Sequence, residues 1–231
     1  MTHPASLNTG EAGAFGDSSQ SHHKCRYPRG AKTVRYKSVI VTKRGAPEVL
    51  QVIENDLRAP SAGEARIKVL ATPVCGPDVS ARYGHTPFAP KTPFVPGYAI
   101  IGIVDAIGAG VANAAVGDGV AALTVNGGYA EYIFLGQEHL VPVPSTLNAA
   151  EAVALILNYL VAYQTLHRSA KVRAGDKVLI IGASGGVGTA LLQLGRLADL
   201  AMYGIASKRK HHVLTAYGAT PIDYRTQDFV A

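Results

Sequence analysis

Strand-like patterning dominates the first half of the chain. Five segments either alternate apolar and polar residues or are rich in β-branched residues: 34–41, 49–53, 65–71, 98–107 and 119–124. Such patterns predict half-buried β-strands. Lys43-Arg44-Gly45 reads as the turn between the first two strands, which predicts a hairpin, and Gly- and Pro-rich stretches separate the others. The first half is therefore expected to be a compact, mostly β domain.

The pattern changes after residue 144. Residues 148–168 carry apolar side chains at helical spacing, and Ser145 is a candidate cap for a short turn before them. The segments that follow alternate between strand and helix: strand 177–181, helix 187–200, strand 202–206, helix 208–217 and the start of a strand at 221–224. Alternation of this kind predicts a parallel sheet with crossover helices, which places the chain in the α/β class.

These patterns divide the chain into three parts. Residues 1–31 lack apolar periodicity and predict a flexible tail, residues 32–150 are expected to form the β domain, and residues 151–231 are expected to form part of the α/β domain. His22, His23 and Cys25 lie in the tail, where such residues seldom form a metal site, so no metal is assigned to them.

Composition narrows the class of protein. The chain has 231 residues, 48% hydrophobic and 16% charged, which argues against a mostly disordered protein. No unbroken apolar run approaches the roughly 18 residues of a membrane span, so no membrane contact is expected. Two cysteines, Cys25 and Cys75, favour a reducing compartment, here the cytoplasm. The net charge of +6 fits an anionic ligand or weak nucleic-acid affinity equally well.

The segment Gly182-Ala183-Ser184-Gly185-Gly186-Val187-Gly188 joins the strand at 177–181 to the next helix. Glycines there permit a tight turn, close approach of a pyrophosphate and close helix packing, while the helix N-terminus faces the phosphates. We therefore predict Gly182, Ser184, Gly185, Gly186, Val187 and Gly188 as cofactor-binding residues. The spacing differs by one residue from the commonest fingerprint, and a turn that binds nothing is the alternative.

About 20 residues further on, an NAD site is expected to carry an acidic residue for the ribose 2′-hydroxyl. The chain instead has Ala206-Ser207-Lys208-Arg209-Lys210. A hydroxyl and three cations suit a 2′-phosphate, which predicts NADPH as the cofactor. The alternative is a solvated, basic helix start.

Several phrases together resemble the medium-chain dehydrogenase/reductase superfamily, in particular its zinc-independent quinone oxidoreductase branch, which includes zeta-crystallin-like proteins. They are residues 92–98 (TPFVPGY), 103–108 (IVDAIG), 116–120 (VGDGV), 127–132 (GGYAEY) and 174–188 (AGDKVLIIGASGGVG). The resemblance runs from about Thr33 to the last residue. It implies a GroES-like domain followed by a Rossmann domain, with the active site in the cleft between them.

The resemblance also bears on metal binding. Zinc-dependent relatives have a Cys before Gly-x-Asp and a Gly-His-Glu further on. Here Cys75-Gly76-Pro77-Asp78 is present, but Gly97-Tyr98-Ala99 replaces the second phrase. We therefore expect no metal, and Cys75 is interpreted as a buried thiol in a pocket wall.

In the quinone reductases a Lys and a Tyr hold the 2′-phosphate. The matching positions are Lys210 and Tyr224, with Ser207 beside them. Without the resemblance, Tyr224 would read as an aromatic packed at a strand end. Val161 and Ser80 stand where relatives have a Thr and a Tyr, so no catalytic residue is assigned. Tyr83 lies near, but a structural role is the preferred interpretation.

These observations predict an NADPH-dependent oxidoreductase that reduces a quinone or an α,β-unsaturated carbonyl without zinc. The alternatives are a catalytically silent nucleotide-binding protein and a zinc alcohol dehydrogenase. Three strands are half of a doubly wound sheet, so the chain is expected to be truncated at its C-terminus relative to its relatives, with an exposed sheet edge. The expected partners are a small-molecule substrate and a second copy, forming a dimer. Nucleic-acid binding is not expected.

Overall fold

The predicted hairpin opens the fold. In the computed structural model, which describes residues 34–86, 89–144 and 146–228, β1 (Arg35–Val41) pairs antiparallel with β2 (Leu50–Asp56). Val41 lies opposite Leu50, and both pack in a small core around Phe94. The predicted tail with His22, His23 and Cys25, and the candidate cap Ser145, lie outside the described residues.

A five-stranded antiparallel sheet forms most of the first half, in the order β6-β3-β4-β5-β7. Its strands are β3 (Glu64–Ala71), β4 (Ala99–Ile107), β5 (Gly119–Leu123), β6 (Tyr132–Gly136) and β7 (Val141–Pro142). Ile67, Ile100 and Val120 form the core on one face. On the other, Ile101 packs against Val153 of a long helix. This explains why β4 is buried on both faces at its start.

One short helix in this half was not predicted. Helix α1 (Gly76–Tyr83) begins at a Gly-Pro pair and ends at Gly84, whose φ of 77° suits a left-handed terminus. Proline in the first turn costs no hydrogen bond, because that N–H has no partner within a helix. Eight residues with little apolar periodicity were too weak a signal to predict it from sequence.

The second half has the predicted α/β alternation. Helix α2 (Ala149–Tyr163) continues as a π-helical segment (Gln164–Ala170), and Asn148 accepts hydrogen bonds from the first turn. The remaining elements are β8 (Lys177–Ile181), α3 (Gly186–Leu197), β9 (Ala201–Ile205), a 3₁₀ turn (Lys208–Lys210), α4 (His211–Ala216) and β10 (Thr220–Ile222). The three strands are parallel, in the order β10-β9-β8. These features confirm the α/β class.

Helix α2 connects the two halves. It packs against β4 on one side and against α3 on the other. The division predicted at residue 150 stays a prediction.

Residues 149–170 form a continuous helix that is long and apolar enough to cross a membrane by length and composition alone. Only 22% of its most apolar stretch is buried. A search for unbroken apolar runs missed it, because polar residues such as Glu151 and Asn158 interrupt the run.

Within the described part of the chain, β8 and β10 are the two edge strands of the sheet β10-β9-β8. Leu179 and Ile181 on β8 are 46% and 73% exposed, whereas Ile180 between them is buried. Ile180 shares a buried core with Leu192 of α3 and Leu214 of α4, so one face of β8 is covered and the other is open. An unpaired edge strand with an exposed apolar face favours association with further polypeptide.

Candidate dinucleotide-binding site

The glycine-rich segment forms a tight turn between β8 and α3. Gly182 has a φ of 67°, in the left-handed region that favours glycine, and its carbonyl accepts a hydrogen bond from the Gly185 N–H at 2.9 Å. Helix α3 then begins at Gly186, and no side chain caps it. Its first N–H groups have no carbonyl partner within the helix, so they are free to bind an anion.

Two glycines let the start of α3 sit close to its neighbours. A Cβ atom on Gly188 would lie 2.4 Å from the Gly182 carbonyl oxygen, and one on Gly186 would lie 2.8 Å from the amide nitrogen of Asn158. At Gly188 the backbone itself would have to move, whereas at Gly186 the side chain of Asn158 would have to move. The predicted reason for glycine here, close packing of the helix, is therefore what the structure shows.

A groove of about 570 Å³ lies beside this turn. Its lining residues come from the segments that follow the three parallel strands: Ser184, Ser207, Lys208, Arg209, Lys210, Asp223, Tyr224 and Arg225. Four predicted residues, Ser184, Ser207, Lys210 and Tyr224, thus meet in one groove. The other five, Gly182, Gly185, Gly186, Val187 and Gly188, lie in the adjoining turn and do not line it.

The groove forms because parallel strands end at the same edge. The Ala183 N–H donates to the carbonyl of Ile205 at 3.1 Å, and the Ala206 N–H donates to the carbonyl of Ile222 at 3.1 Å. These bonds hold the three strand ends side by side. The 3₁₀ turn after β9 closes with a bond from the Lys210 N–H to the Ser207 carbonyl at 2.8 Å.

Of the other four lining residues, Lys208 and Arg209 belong to the basic segment already noted in the sequence, whereas Asp223 and Arg225 were missed. Both flank the predicted Tyr224, but nothing in the local sequence shows that the turn after β10 faces the turn after β9. Of the lining residues, four are cations and one, Asp223, is a carboxylate that is 8% exposed. The accessible charge is therefore positive, and an anionic ligand fits it.

A second polar cluster lies in the first half, next to the positions where zinc-dependent relatives hold their metal. The carboxylate of Asp78, 5% exposed, accepts hydrogen bonds from the Cys75 N–H and the Gly97 N–H, both at 2.9 Å. The Tyr129 hydroxyl donates to it at 3.4 Å. Asp78 thereby joins the two loops that carry Cys75 and Tyr98.

Electrostatics in this cluster favour neutral forms. Burial raises the pKa of Tyr129 well above its usual range, and the Asp78 charge raises it further. Burial also raises the pKa of the Cys75 thiol, with a second contribution from Asp78. A half-buried thiol of raised pKa is a poor nucleophile. In the described residues, no three His, Cys, Asp or Glu side chains are grouped as a metal ion would require.

A cavity of about 480 Å³ adjoins this cluster and is lined by Ser80, Tyr98 and Asn126 among others. Tyr83 is not among the lining residues; its ring stacks on His85 at 5.3 Å, in keeping with a structural role. Val161 on α2 is 39% exposed. No side chain in the described residues is assigned as the proton donor.

Comparison with known proteins agrees with this architecture. Residues 61–145 match the alcohol dehydrogenase GroES-like domain. The chain is 36% identical to the quinone oxidoreductase of Rattus norvegicus over 184 residues, which cover 78% of this chain and 55% of that protein. It is 37% identical to the synaptic vesicle membrane protein VAT-1 homolog of Rattus norvegicus over 174 residues, which cover 74% of this chain and 43% of that protein.

Among solved structures, the chain resembles the Escherichia coli quinone oxidoreductase complexed with NADPH, with a TM-score of 0.79 and 26% identity. That match covers 84% of this chain and 60% of the other. The chain spans about half the length of the curated relatives it matches.

Together, a GroES-like β half and a second half with a parallel sheet agree with the architecture of the quinone oxidoreductases. The chain is similar to the quinone oxidoreductases and VAT-1 homologs over about half of their length, and residues 61–145 match the GroES-like domain of alcohol dehydrogenases. The resemblance predicted from the sequence is confirmed.

The Asp78 cluster makes stability dependent on pH at the alkaline end. Because folding raises the pKa of Tyr129, the resulting stability is complete below about pH 10, the pKa of an unfolded tyrosine, and is lost as pH rises through the folded-state pKa. We expect Tyr129→Phe to make the free energy of unfolding, measured with urea, fall less steeply between about pH 9 and pH 11.

Tyr83→Phe is the matched control, since it removes a hydroxyl outside the cluster and keeps the ring that stacks on His85. It should follow the pH dependence of the wild type. If the free energy of unfolding of Tyr129→Phe fell with pH as steeply as that of the wild type, the role assigned to the Tyr129 hydroxyl would be contradicted.

Proposed function

We propose that this chain binds NADPH and that its protein is an oxidoreductase that reduces a quinone or an α,β-unsaturated carbonyl by hydride transfer, with no zinc requirement. The observation that carries the proposal is the cationic groove next to a glycine-rich helix start. Quinone oxidoreductase relatives support the reaction class, and the related Escherichia coli protein was solved in complex with NADPH.

Each part of the site has a role in this proposal. The turn from Gly182 to Gly188 and the first N–H groups of α3 bind the pyrophosphate. Ser207, Lys210 and Tyr224, which line one groove, hold the ribose 2′-phosphate. A carboxylate at the end of β9 would repel that group, whereas a hydroxyl and an ammonium bind its oxygens.

The bound nicotinamide supplies the hydride, and the protein supplies position and a site of low water content. In the first half, Ser80, Tyr98 and Asn126 line a cavity of about 480 Å³ that offers hydrogen-bond donors to a small substrate. A conjugated carbonyl develops negative charge on oxygen during reduction, so it needs such a donor. Val161 and Ser80 stand where relatives have polar groups, and the donor itself is left unassigned.

Coenzyme preference tests the binding half of the proposal. Titration calorimetry should show tighter binding of NADPH than of NADH. Lys210→Gln should weaken NADPH binding by about 10-fold or more, because hydrogen bonds to charged groups contribute about 1.5–3 kcal/mol.

Lys177→Gln is the control, because it removes the same charge at the exposed start of β8, at the opposite end of the strand. It should leave both affinities unchanged. Tighter binding of NADH than of NADPH by the wild type would overturn the cofactor assignment.

One alternative is a nucleotide-binding protein without catalytic activity. The observation that favours it is the apolar Val161, at a position where the resemblance implies a Thr. A zinc alcohol dehydrogenase is the third hypothesis, and Tyr98 in place of a histidine ligand argues against it.

A turnover assay separates these functions. With a quinone as acceptor, the chain should oxidise NADPH at a rate that a chelator does not change, and metal analysis should find well under one zinc per chain. Binding of NADPH without turnover would favour the silent protein. Loss of activity in chelator, with about one zinc per chain, would instead support the alcohol dehydrogenase.

A cytoplasmic location and a homodimer complete the proposal. The open edge of β8, with its exposed Ile181, supports association with a second copy. The VAT-1 relatives are named after a vesicle membrane. Cell fractionation should therefore compare the amount of this protein in the soluble and membrane fractions.

A further inference from the structure

The turn after β10 is more highly organised than a simple strand end. The Asp223 carbonyl accepts hydrogen bonds from the N–H groups of Thr226 at 3.1 Å and Gln227 at 2.9 Å. The Gln227 side-chain oxygen in turn accepts from the Asp223 N–H at 2.8 Å. These reciprocal bonds fix the backbone conformation between Asp223 and Gln227. They therefore also fix the directions of the Tyr224 and Arg225 side chains.

The carboxylate of Asp223 closes this turn. Its Oδ1 atom accepts a hydrogen bond from the Arg225 N–H at 3.1 Å, and the residue is only 8% exposed. A carboxylate open to the groove would repel a phosphate, but this one is directed to the backbone of its own turn. The negative charge therefore serves to hold the turn.

Arg225 is placed next to the predicted phosphate-binding residues. Its guanidinium carbon lies 5.7 Å from the centre of the Tyr224 ring, and both residues line the groove with Ser207 and Lys210. A planar guanidinium binds two phosphate oxygens at once, whereas an ammonium acts as a point charge. The turn thus presents the one type of cation that recognises a phosphate by shape as well as by charge.

We propose that Arg225 binds the ribose 2′-phosphate of the coenzyme and makes the site selective for NADPH over NADH, and that Asp223 is the residue that positions it. This inference rests on the proposed function and extends it to two residues in the turn after β10. Arg225 contacts the ligand, and Asp223 acts through the turn.

Calorimetry on the full chain tests the proposal with NADPH and NADH as probes. Arg225→Gln should weaken NADPH binding by about 10- to 100-fold, in line with the loss of a charged hydrogen-bonding group. NADH binding should change less than about twofold, because that coenzyme has no 2′-phosphate. Arg173→Gln, which removes an arginine from the turn before β8, is the matched control and should leave both affinities unchanged.

Two Asp223 variants test the positioning role. Asp223→Asn keeps an oxygen that accepts the Arg225 N–H, so it should preserve selectivity, whereas Asp223→Ala should reduce it. If Asp223 acts through Arg225, the two substitutions are not independent. The double variant Asp223→Ala/Arg225→Gln should then lose less binding free energy for NADPH than the sum of the losses in the two single variants. Additive losses, or equal effects of Asp223→Asn and Asp223→Ala, would contradict positioning.

The outcomes separate this inference from the proposed function. A wild-type chain that binds neither coenzyme refutes the proposed function. A wild-type chain that prefers NADPH, with an Arg225→Gln variant of unchanged preference, refutes the inference alone. Should Asp223→Ala fail to fold, Arg225→Gln still decides the proposal, because it changes only an exposed side chain.

Discussion

The α/β half of the chain depends on the close approach of α3 to the sheet. The approach is possible because Gly188 has no side chain: a Cβ there would lie 2.4 Å from the carbonyl oxygen of Gly182. The helix start consequently follows directly on the turn at the end of β8, where Ser184 lines the same groove as Ser207 and Tyr224. One steric constraint thus places the backbone donors and the cationic groove side by side.

Two buried carboxylates show how the fold uses negative charge. Asp78 receives N–H groups from two loops and a phenol, so it joins segments that are far apart in sequence. Asp223 receives the N–H of Arg225 within a single turn. In both cases the backbone compensates the buried charge, which burial alone would make costly. The surface left to a ligand in the groove is therefore cationic.

Helices and strands with a clear repeat of apolar residues could be predicted from the sequence. Elements that depend on tertiary contacts could not. Strand β8, at Lys177–Ile181, matches its predicted bounds because apolar residues lie between clear turns. Helix α1 has no such pattern and depends on its Gly-Pro start and Gly84 end. The predicted helix at 208–217 divides into a 3₁₀ turn and α4. Ser207, Lys210 and Tyr224 could be predicted from the family pattern, whereas Asp223 and Arg225 depend on strand ends meeting in space.

The central claim is that the groove holds the 2′-phosphate of NADPH, and phosphorus NMR observes that group directly. The account predicts that the 2′-phosphate resonance of bound NADPH keeps the position of the dianion as the pH is lowered through about 6, the second pKa of a phosphate monoester, because neighbouring cations stabilise the dianion. A resonance that titrates as in free NADPH, while the pyrophosphate signals show binding, would contradict it.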